Sequence, residues 1–257
     1  MFLKSAPLLG LFMTLALTGC GRKAPRAPDA PPAADAKAEY AAPPAVSVVR
    51  LEGGAPVLSG TAPANSPVRL GSPSGAAVTA VADGAGHWTL RLAPAGEPRI
   101  FGLSVRVGAR QAQGQGYLLV TPQGPAALLR AGAGAIRLDP RPSPSLAAVD
   151  FDREGAAIVS GLAPPASLVF LRLDGRQAAE ARTGPDGRYA ITLNQAMGKG
   201  GHTLEVAGDN FVSTGQVAVA PAAPLASGPM RSQFTKGGLR IDWLTPGGGV
   251  QSTVLLD

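Results

Sequence analysis

Val57-Leu58-Ser59-Gly60-Thr61-Ala62-Pro63 returns as Ile158-Val159-Ser160-Gly161-Leu162-Ala163-Pro164, 101 positions further along the chain. The same offset pairs Val68 with Val169, Leu70 with Leu171, Gly86 with Gly187, Trp88 with Tyr189, Leu90 with Ile191 and Leu92 with Leu193. It still holds at Leu103 with Leu204 and at Val105 with Val206, with no gap across the stretch. A period of this length is too long for a solenoid and is that of a whole duplicated domain. Each copy reads as β. His87-Trp88-Thr89-Leu90-Arg91-Leu92 alternates, with Trp88, Leu90 and Leu92 on one face, and Arg188-Tyr189-Ala190-Ile191-Thr192-Leu193 repeats the pattern. Asp83-Gly84, Asp174-Gly175 and Pro185-Asp186-Gly187 supply turns between the runs. The composition agrees. With 34 Gly, 25 Pro and only 5% aromatic residues, the chain suits short strands punctuated by turns rather than long helices.

Short strands at this spacing predict a sandwich of two antiparallel sheets in each copy. The order of signals is a Ser-Gly-x-Ala-Pro start, an apolar strand, an Asp-Gly turn, a second strand, then Gly-x-Trp or Gly-x-Tyr before an apolar strand. In this chain it runs from Ser59-Gly60-Thr61-Ala62-Pro63 to Gly86-His87-Trp88, and from Ser160-Gly161-Leu162-Ala163-Pro164 to Gly187-Arg188-Tyr189. It resembles the immunoglobulin-like repeats of bacterial envelope and surface proteins. The resemblance covers residues 46–122 and 145–221, the expected domains. Copy 1 departs from it where Ser72-Pro73-Ser74-Gly75 replaces the Asp174-Gly175 turn.

Three segments lie outside the copies. Residues 20–45 read as a disordered Ala/Pro tether, since Ala27-Pro28-Asp29-Ala30-Pro31-Pro32-Ala33-Ala34 has neither periodicity nor bulky groups to bury. Extended as polyproline at about 3 Å per residue, it would reach roughly 70 Å. Residues 123–144 are a proline-rich connector in which Ala126-Ala127-Leu128-Leu129-Arg130 is expected to form a helical turn or lean on a domain. Residues 222–257 are a C-terminal extension. Within it, Leu239-Arg240-Ile241-Asp242-Trp243-Leu244 and Val250-Gln251-Ser252-Thr253-Val254-Leu255-Leu256 flank Pro246-Gly247-Gly248-Gly249, a β-hairpin pattern. An isolated hairpin is only marginally stable, so it must pack on a domain or pair with a partner. In the second case Trp243, Leu244, Val250 and Val254 are the candidate interaction surface.

The start of the chain carries the single cysteine, Cys20. Residues 1–4 include a positive charge, and residues 7–17 form an apolar run too short to span a bilayer as a helix. Small residues follow, as signal cleavage requires. Leu17-Thr18-Gly19-Cys20 resembles the lipobox of bacterial lipoproteins. That resemblance implies a signal peptide at 1–19, cleavage between Gly19 and Cys20, and lipid on the Cys20 thiol, with the new amino group usually acylated as well. Several acyl chains anchor stably where one binds only marginally. Gly21, rather than Asp, follows the cysteine, which implies the outer membrane, on its periplasmic side. With no second thiol, no disulfide can form within the chain, and the domains must hold together by their cores.

A search for chemistry finds little. His87 alternates with Trp88 and so faces away from the expected core, and His202 opens a strand after a glycine loop; both read as surface residues. Gly71-Ser72-Pro73-Ser74-Gly75 has proline where a nucleophile elbow has serine, and Gly198-Lys199-Gly200-Gly201 lacks the spacing of a phosphate-binding loop. Asp150-Phe151-Asp152-Arg153-Glu154-Gly155 resembles the first half of a calcium loop, but its twelfth position is Gly161, so it reads as a polar turn. The net charge of +6 is scattered and mostly arginine, without interleaved aromatics, which argues against nucleic acid. The sequence therefore predicts an all-β, membrane-anchored envelope lipoprotein with two tandem immunoglobulin-like sandwiches. Its expected role is a non-catalytic scaffold for an envelope protein partner. A peptidoglycan- or polysaccharide-binding module is the alternative, and an enzyme with a dispersed site ranks below both. No metal or cofactor is expected beyond the covalent lipid.

Overall fold

Alternating apolar residues become strands throughout the computed structural model, which describes residues 41–257. Gly19, Cys20, the signal peptide and most of the tether lie outside the described residues. Copy 1 supplies β1 (Ala45–Glu52), β2 (Ala55–Thr61), β3 (Pro67–Gly71), β4 (Ala77–Val81), β5 (His87–Arg91), β6 (Arg99–Val107) and β7 (Arg110–Val120). The connector contributes β8 (Ala126–Leu129) and β9 (Ile136–Arg137). Copy 2 follows with β10 (Ser145–Phe151), β11 (Ala157–Leu162), β12 (Leu168–Leu173), β13 (Arg176–Arg182), β14 (Arg188–Thr192), β15 (Gly200–Gly208) and β16 (Phe211–Val219). The tail adds β17 (Met230–Thr235), β18 (Gly238–Leu244) and β19 (Val250–Leu256). No helix occurs among the described residues.

Each copy is a seven-stranded immunoglobulin-like sandwich. Copy 1 pairs β1-β2-β5 in one sheet and β4-β3-β6-β7 in the other; copy 2 pairs β10-β11-β14 and β13-β12-β15-β16, all antiparallel. The likeness extends to single hydrogen bonds. Ala62 N donates to Gly86 O in copy 1, and Ala163 N to Gly187 O in copy 2. Gly86 and Gly187 sit at φ +84° and +74°, where a Cβ would stand 2.6 Å from those same Ala62 and Ala163 carbonyl oxygens. Glycine is needed there on both counts. Both first strands carry a bulge, between Val46 and Val48 and between Leu146 and Ala148. In these first strands the copies match at an offset of 100: Arg50 opposes Val57, and Asp150 opposes Ile158. The turn into the second strand is therefore one residue longer in copy 2.

The copies differ in their third turn as the sequence implies. Asp174 and Gly175, at φ +51° and +79°, close a two-residue hairpin between β12 and β13. Both positive φ values match the right-handed twist of the flanking strands. Copy 1 instead uses a five-residue loop between β3 and β4, in which Ser72 N donates to Ala76 O.

What joins the copies lies outside the repeat. The connector is not a helical turn: β8 pairs with β7 and β9 with β8, extending the second sheet of copy 1 to β4-β3-β6-β7-β8-β9. The tail is a three-stranded meander rather than a lone hairpin. Its last strand, β19, pairs with β10, extending the first sheet of copy 2 to β14-β11-β10-β19-β18-β17. The two extended sheets pack face to face. Ile100, Leu119, Ala127 and Leu129 from one meet Ala148, Leu239, Ile241, Trp243 and Leu255 from the other in a third apolar core. The protein from residue 45 onward is thus a stack of four β layers with three cores. Both inner sheets are covered on both faces where they overlap.

That arrangement explains patterns the alternation rule leaves unexplained. A sheet buried on both faces reads as a near-continuous apolar run. Every residue of β10 is buried, and Leu118, Leu119 and Val120 at the end of β7 are buried consecutively. Leu118 and Val120 face the copy 1 core, and Leu119 faces the third core. Likewise Val254 and Leu256 belong to the copy 2 core, while Leu255 belongs to the third. The expected interaction surface on the hairpin is corrected accordingly. Trp243 and Val254 are buried, Val250 is half-buried, and only Leu244 is exposed. The hairpin's apolar groups are used within the chain because one face covers copy 2 and the other covers copy 1.

Candidate functional site

A set of buried polar groups lies at the seam where connector, tail and copy 2 meet. Asp150 sits on β10 opposite Thr253 of β19, which turns its carboxylate into the seam. Its Oδ2 accepts a hydrogen bond from Ala135 N at 2.7 Å. Its Oδ1 accepts from Gln251 Nε2 at 3.0 Å and from Thr253 Oγ1 at 2.5 Å. Trp243 Nε1 in turn donates to Thr253 Oγ1 at 3.0 Å, and Ser160 Oγ donates to Ala135 O at 2.7 Å. Burial pushes the Asp150 carboxyl above the ordinary carboxylate range, against the pull of its donors and of Arg130. The group ties three chain segments together, and its oxygens are occupied in doing so.

A second network sits on the tail. Asp242 on β18 accepts from Arg240 Nε at 2.8 Å, from Ser252 Oγ at 2.7 Å and from Arg231 Nη2 at 2.5 Å. Burial works to raise its pKa, but the hydrogen bonds from Arg231, Ser252 and Arg240 outweigh it and hold the carboxyl below its usual value. Arg240 also donates to Ala220 O at 2.8 Å and lies over the Phe151 ring, 5.3 Å from its centroid. On the connector, Arg137 forms two bonds to Asp139, of 2.8 and 2.6 Å, and donates to Leu256 O at 2.9 Å. Losing one partner of a buried pair of this kind leaves the other charge uncompensated, which is strongly destabilising.

A cleft of about 240 Å³ opens beside this seam, lined in part by Arg130, Arg137, Ser160, Asp186, Arg188 and Tyr189. Its charges are largely spent at home. Arg137 is held by Asp139, Arg188 lies 3.4 Å from Asp186, and Arg130 donates to Gly134 O and Ala133 O. Tyr189 donates its hydroxyl to Ser145 O, and burial pushes that hydroxyl well above its ordinary pKa. None of these groups is arranged as a nucleophile with a base.

The residues singled out in the sequence fall apart in space. His87 is exposed on β5, and the neighbouring turn is capped by Asp83, which accepts from His87 N and Ala85 N. His202 lies on β15 with Nδ1 2.8 Å from Asp174 Oδ2 and Nε2 2.8 Å from Gly198 O. Only a protonated imidazole donates from both nitrogens, so the Asp174 hydrogen bond, followed by the Gly198 carbonyl, raises the His202 pKa. Asp174 is correspondingly lowered by His202 and by Thr203 N. The calcium-loop pattern comes apart, with Asp150 in the seam and Asp152 accepting from Glu154 N and Ala156 N as a turn cap. Among the described residues, no group of three or more His, Cys, Asp and Glu side chains could hold a metal ion. None of the described helices could cross a membrane, since there are none.

The Asp150 network joins residues far apart in the sequence. Its one signal is the placement of Asp150 inside the otherwise apolar run Leu146-Ala147-Ala148-Val149-Asp150-Phe151, a charge that must find partners if the strand is covered on both faces.

No protein-family model matches the chain, and no curated protein matches it. Among solved structures it is similar to a "Biofilm associated protein - BSP domain", at 15% identity and a TM-score of 0.27, over 71% of this chain and 30% of that one. It is also similar to a "Central Fibronectin-III array of RIM-binding protein", at 10% identity and a TM-score of 0.26, over 82% of this chain and 89% of that one. The chain thus spans less than a third of the length of the first of these.

Proposed function

We propose that this protein is a lipid-anchored, non-catalytic scaffold of the bacterial cell envelope. Cys20 carries the lipid, at the outer membrane and on its periplasmic side. The tether sets the reach, and the body presents a fixed surface to an envelope protein. The observation that carries the reading is the third core: apolar residues of connector and tail weld the two sandwiches, so surfaces on both copies keep one geometry. A spacer or scaffold benefits from such rigidity, while the polar groups at the seam are consumed in building it. A protein partner is favoured over a glycan because both tryptophans are buried, Trp88 in the copy 1 core and Trp243 in the third, leaving neither as a stacking platform.

Detergent phase partition of cell extracts tests the anchor. The native protein should enter the detergent phase and the Cys20→Ser protein the aqueous phase. A native protein found in the aqueous phase would remove the anchor from the account. For the scaffold role, photo-crosslinking in cells from exposed Val212 and Phe234 should trap a defined envelope protein; an unchanged band pattern from both sites would count against it.

A further inference from the structure

The open edges of the two copies are built differently. In copy 2, β13 is the edge strand of its sheet and carries Arg176, Glu180 and Arg182. Charges on an edge strand block pairing with other strands. The counterpart in copy 1 is β4, also an edge strand, which reads Ala77-Val78-Thr79-Ala80-Val81 with neither charge nor proline. The strand is largely exposed, and Val81 reaches 67%.

Backbone alternation fixes which groups look outward. Ser72 N donates to Ala76 O, and Ala82 N donates to Ser66 O. With Leu70 opposite Val78 and Val68 opposite Ala80, the bonded pairs with β3 fall on Val78 and Ala80. The N–H and C=O groups of Ala77, Thr79 and Val81 therefore point away from β3, along the open edge.

We propose that β4 is a self-association edge on which a second copy of this chain docks, antiparallel, about a twofold axis through Thr79. In that register Thr79 faces Thr79, and Ala77 faces Val81 on either side. All six outward backbone groups of each strand find partners, because the residues that face outward are also the ones brought opposite each other. The small Ala77 meets the larger Val81, and a Thr–Thr cross-strand pair is a favourable one. The interface is isologous, and it joins two six-stranded sheets edge to edge. The same operation on β13, where Thr183 N donates to Ser167 O and the outward position equivalent to Thr79 is Glu180, would set Glu180 directly against Glu180 and repel. The duplication thus leaves one edge competent to meet itself and one edge barred from doing so. This self-complementarity selects a second copy as the occupant. A five-residue strand pair is a small interface, so association is weak, with a dissociation constant on the order of 10⁻⁴ M.

Sedimentation equilibrium of residues 41–257, the part that contains all three cores, tests the proposal from about 1 μM to about 1 mM. The native chain should shift from monomer to dimer across that range. Thr79→Lys sets two ammonium groups against each other and should weaken the dimer about tenfold or more. Thr79→Pro removes the outward N–H, on the side where an edge strand tolerates proline, and should do the same without adding charge. Both variants should melt within about 2 °C of the native chain, since Thr79 is exposed. A native chain that stays monomeric at the highest concentration overturns the proposal, as does a dimer that both variants form as tightly as the native chain.

Discussion

Copy 1 and copy 2 share their strand order, their first-strand bulge and their glycine turns, yet each is completed on a different side. Copy 1 is extended beyond its last strand, where β8 and β9 continue the sheet of β7. Copy 2 is extended before its first strand, where β19, β18 and β17 continue the sheet of β10. The two additions make opposite sheets of the two sandwiches wide, and those wide sheets face each other. Duplication supplies two equivalent bodies; the sequence outside the repeat determines that they form one. The pair Arg50 and Asp150 shows the consequence at a single position. Arg50 is exposed on the uncovered first strand of copy 1, whereas Asp150 is buried in the seam of copy 2.

Breaking the weld should have the largest effect. Trp243→Ala empties the centre of the third core and removes the donor to Thr253. It should cost about 3–5 kcal/mol in urea unfolding, the range for a buried Trp truncated to Ala. A cost below about 1 kcal/mol would show that the sandwiches do not depend on their contact.

The position comparison comes next. Asp150→Ala leaves Ala135 N, Gln251 and Thr253 without their acceptor. It should destabilise by about 2–3 kcal/mol, while Arg50→Ala changes stability by no more than about 0.5 kcal/mol. Equal effects at the two positions would contradict the asymmetry between the copies.

Where the copies are alike, the same change should act alike. A Cβ on Gly60 would stand 2.0 Å from Ala45 O and press on the Trp88 ring; on Gly161 it would stand 2.1 Å from Ser145 O and press on Tyr189. Gly60→Ala and Gly161→Ala should each cost about 1–3 kcal/mol, and thermal melts should rank them together. A neutral result at either would mean that its first strand can shift.

The smallest effect separates the copies again. The offset that aligns them sets His202 against Phe101. Because Asp174 and the Gly198 carbonyl raise the His202 pKa above its ordinary 6.5, the folded state holds the proton more tightly than the unfolded chain. The stabilisation is full below about pH 6.5 and is lost as pH rises through the folded-state value. His202→Phe should flatten that slope in urea midpoints measured from about pH 6 to 8, a window set by the raised histidine. An unchanged slope would place the titration elsewhere.

The sequence made the repeated part legible because each copy buries one face of most strands, so period-two alternation in His87-Trp88-Thr89-Leu90-Arg91-Leu92 points to the core directly. It hid the weld for the opposite reason. Ala126-Ala127-Leu128-Leu129 and Leu146-Ala147-Ala148-Val149 are buried on both faces, and a short two-sided apolar run cannot be told from a helical turn by periodicity. Alternation marks Trp243 as an apolar residue of a hairpin that must be covered, but carries no sign that the covering surface belongs to the same chain. The Asp150 carboxylate was equally opaque, since its three donors come from residues 135, 251 and 253.

Differential scanning calorimetry of residues 41–257 tests the central claim most directly. Two sandwiches sharing a third core should unfold as one cooperative unit, with a single peak and a calorimetric-to-van't Hoff enthalpy ratio of about one. Two resolved peaks, or a ratio near about two, would mean that the copies unfold independently and that the weld does not hold them together.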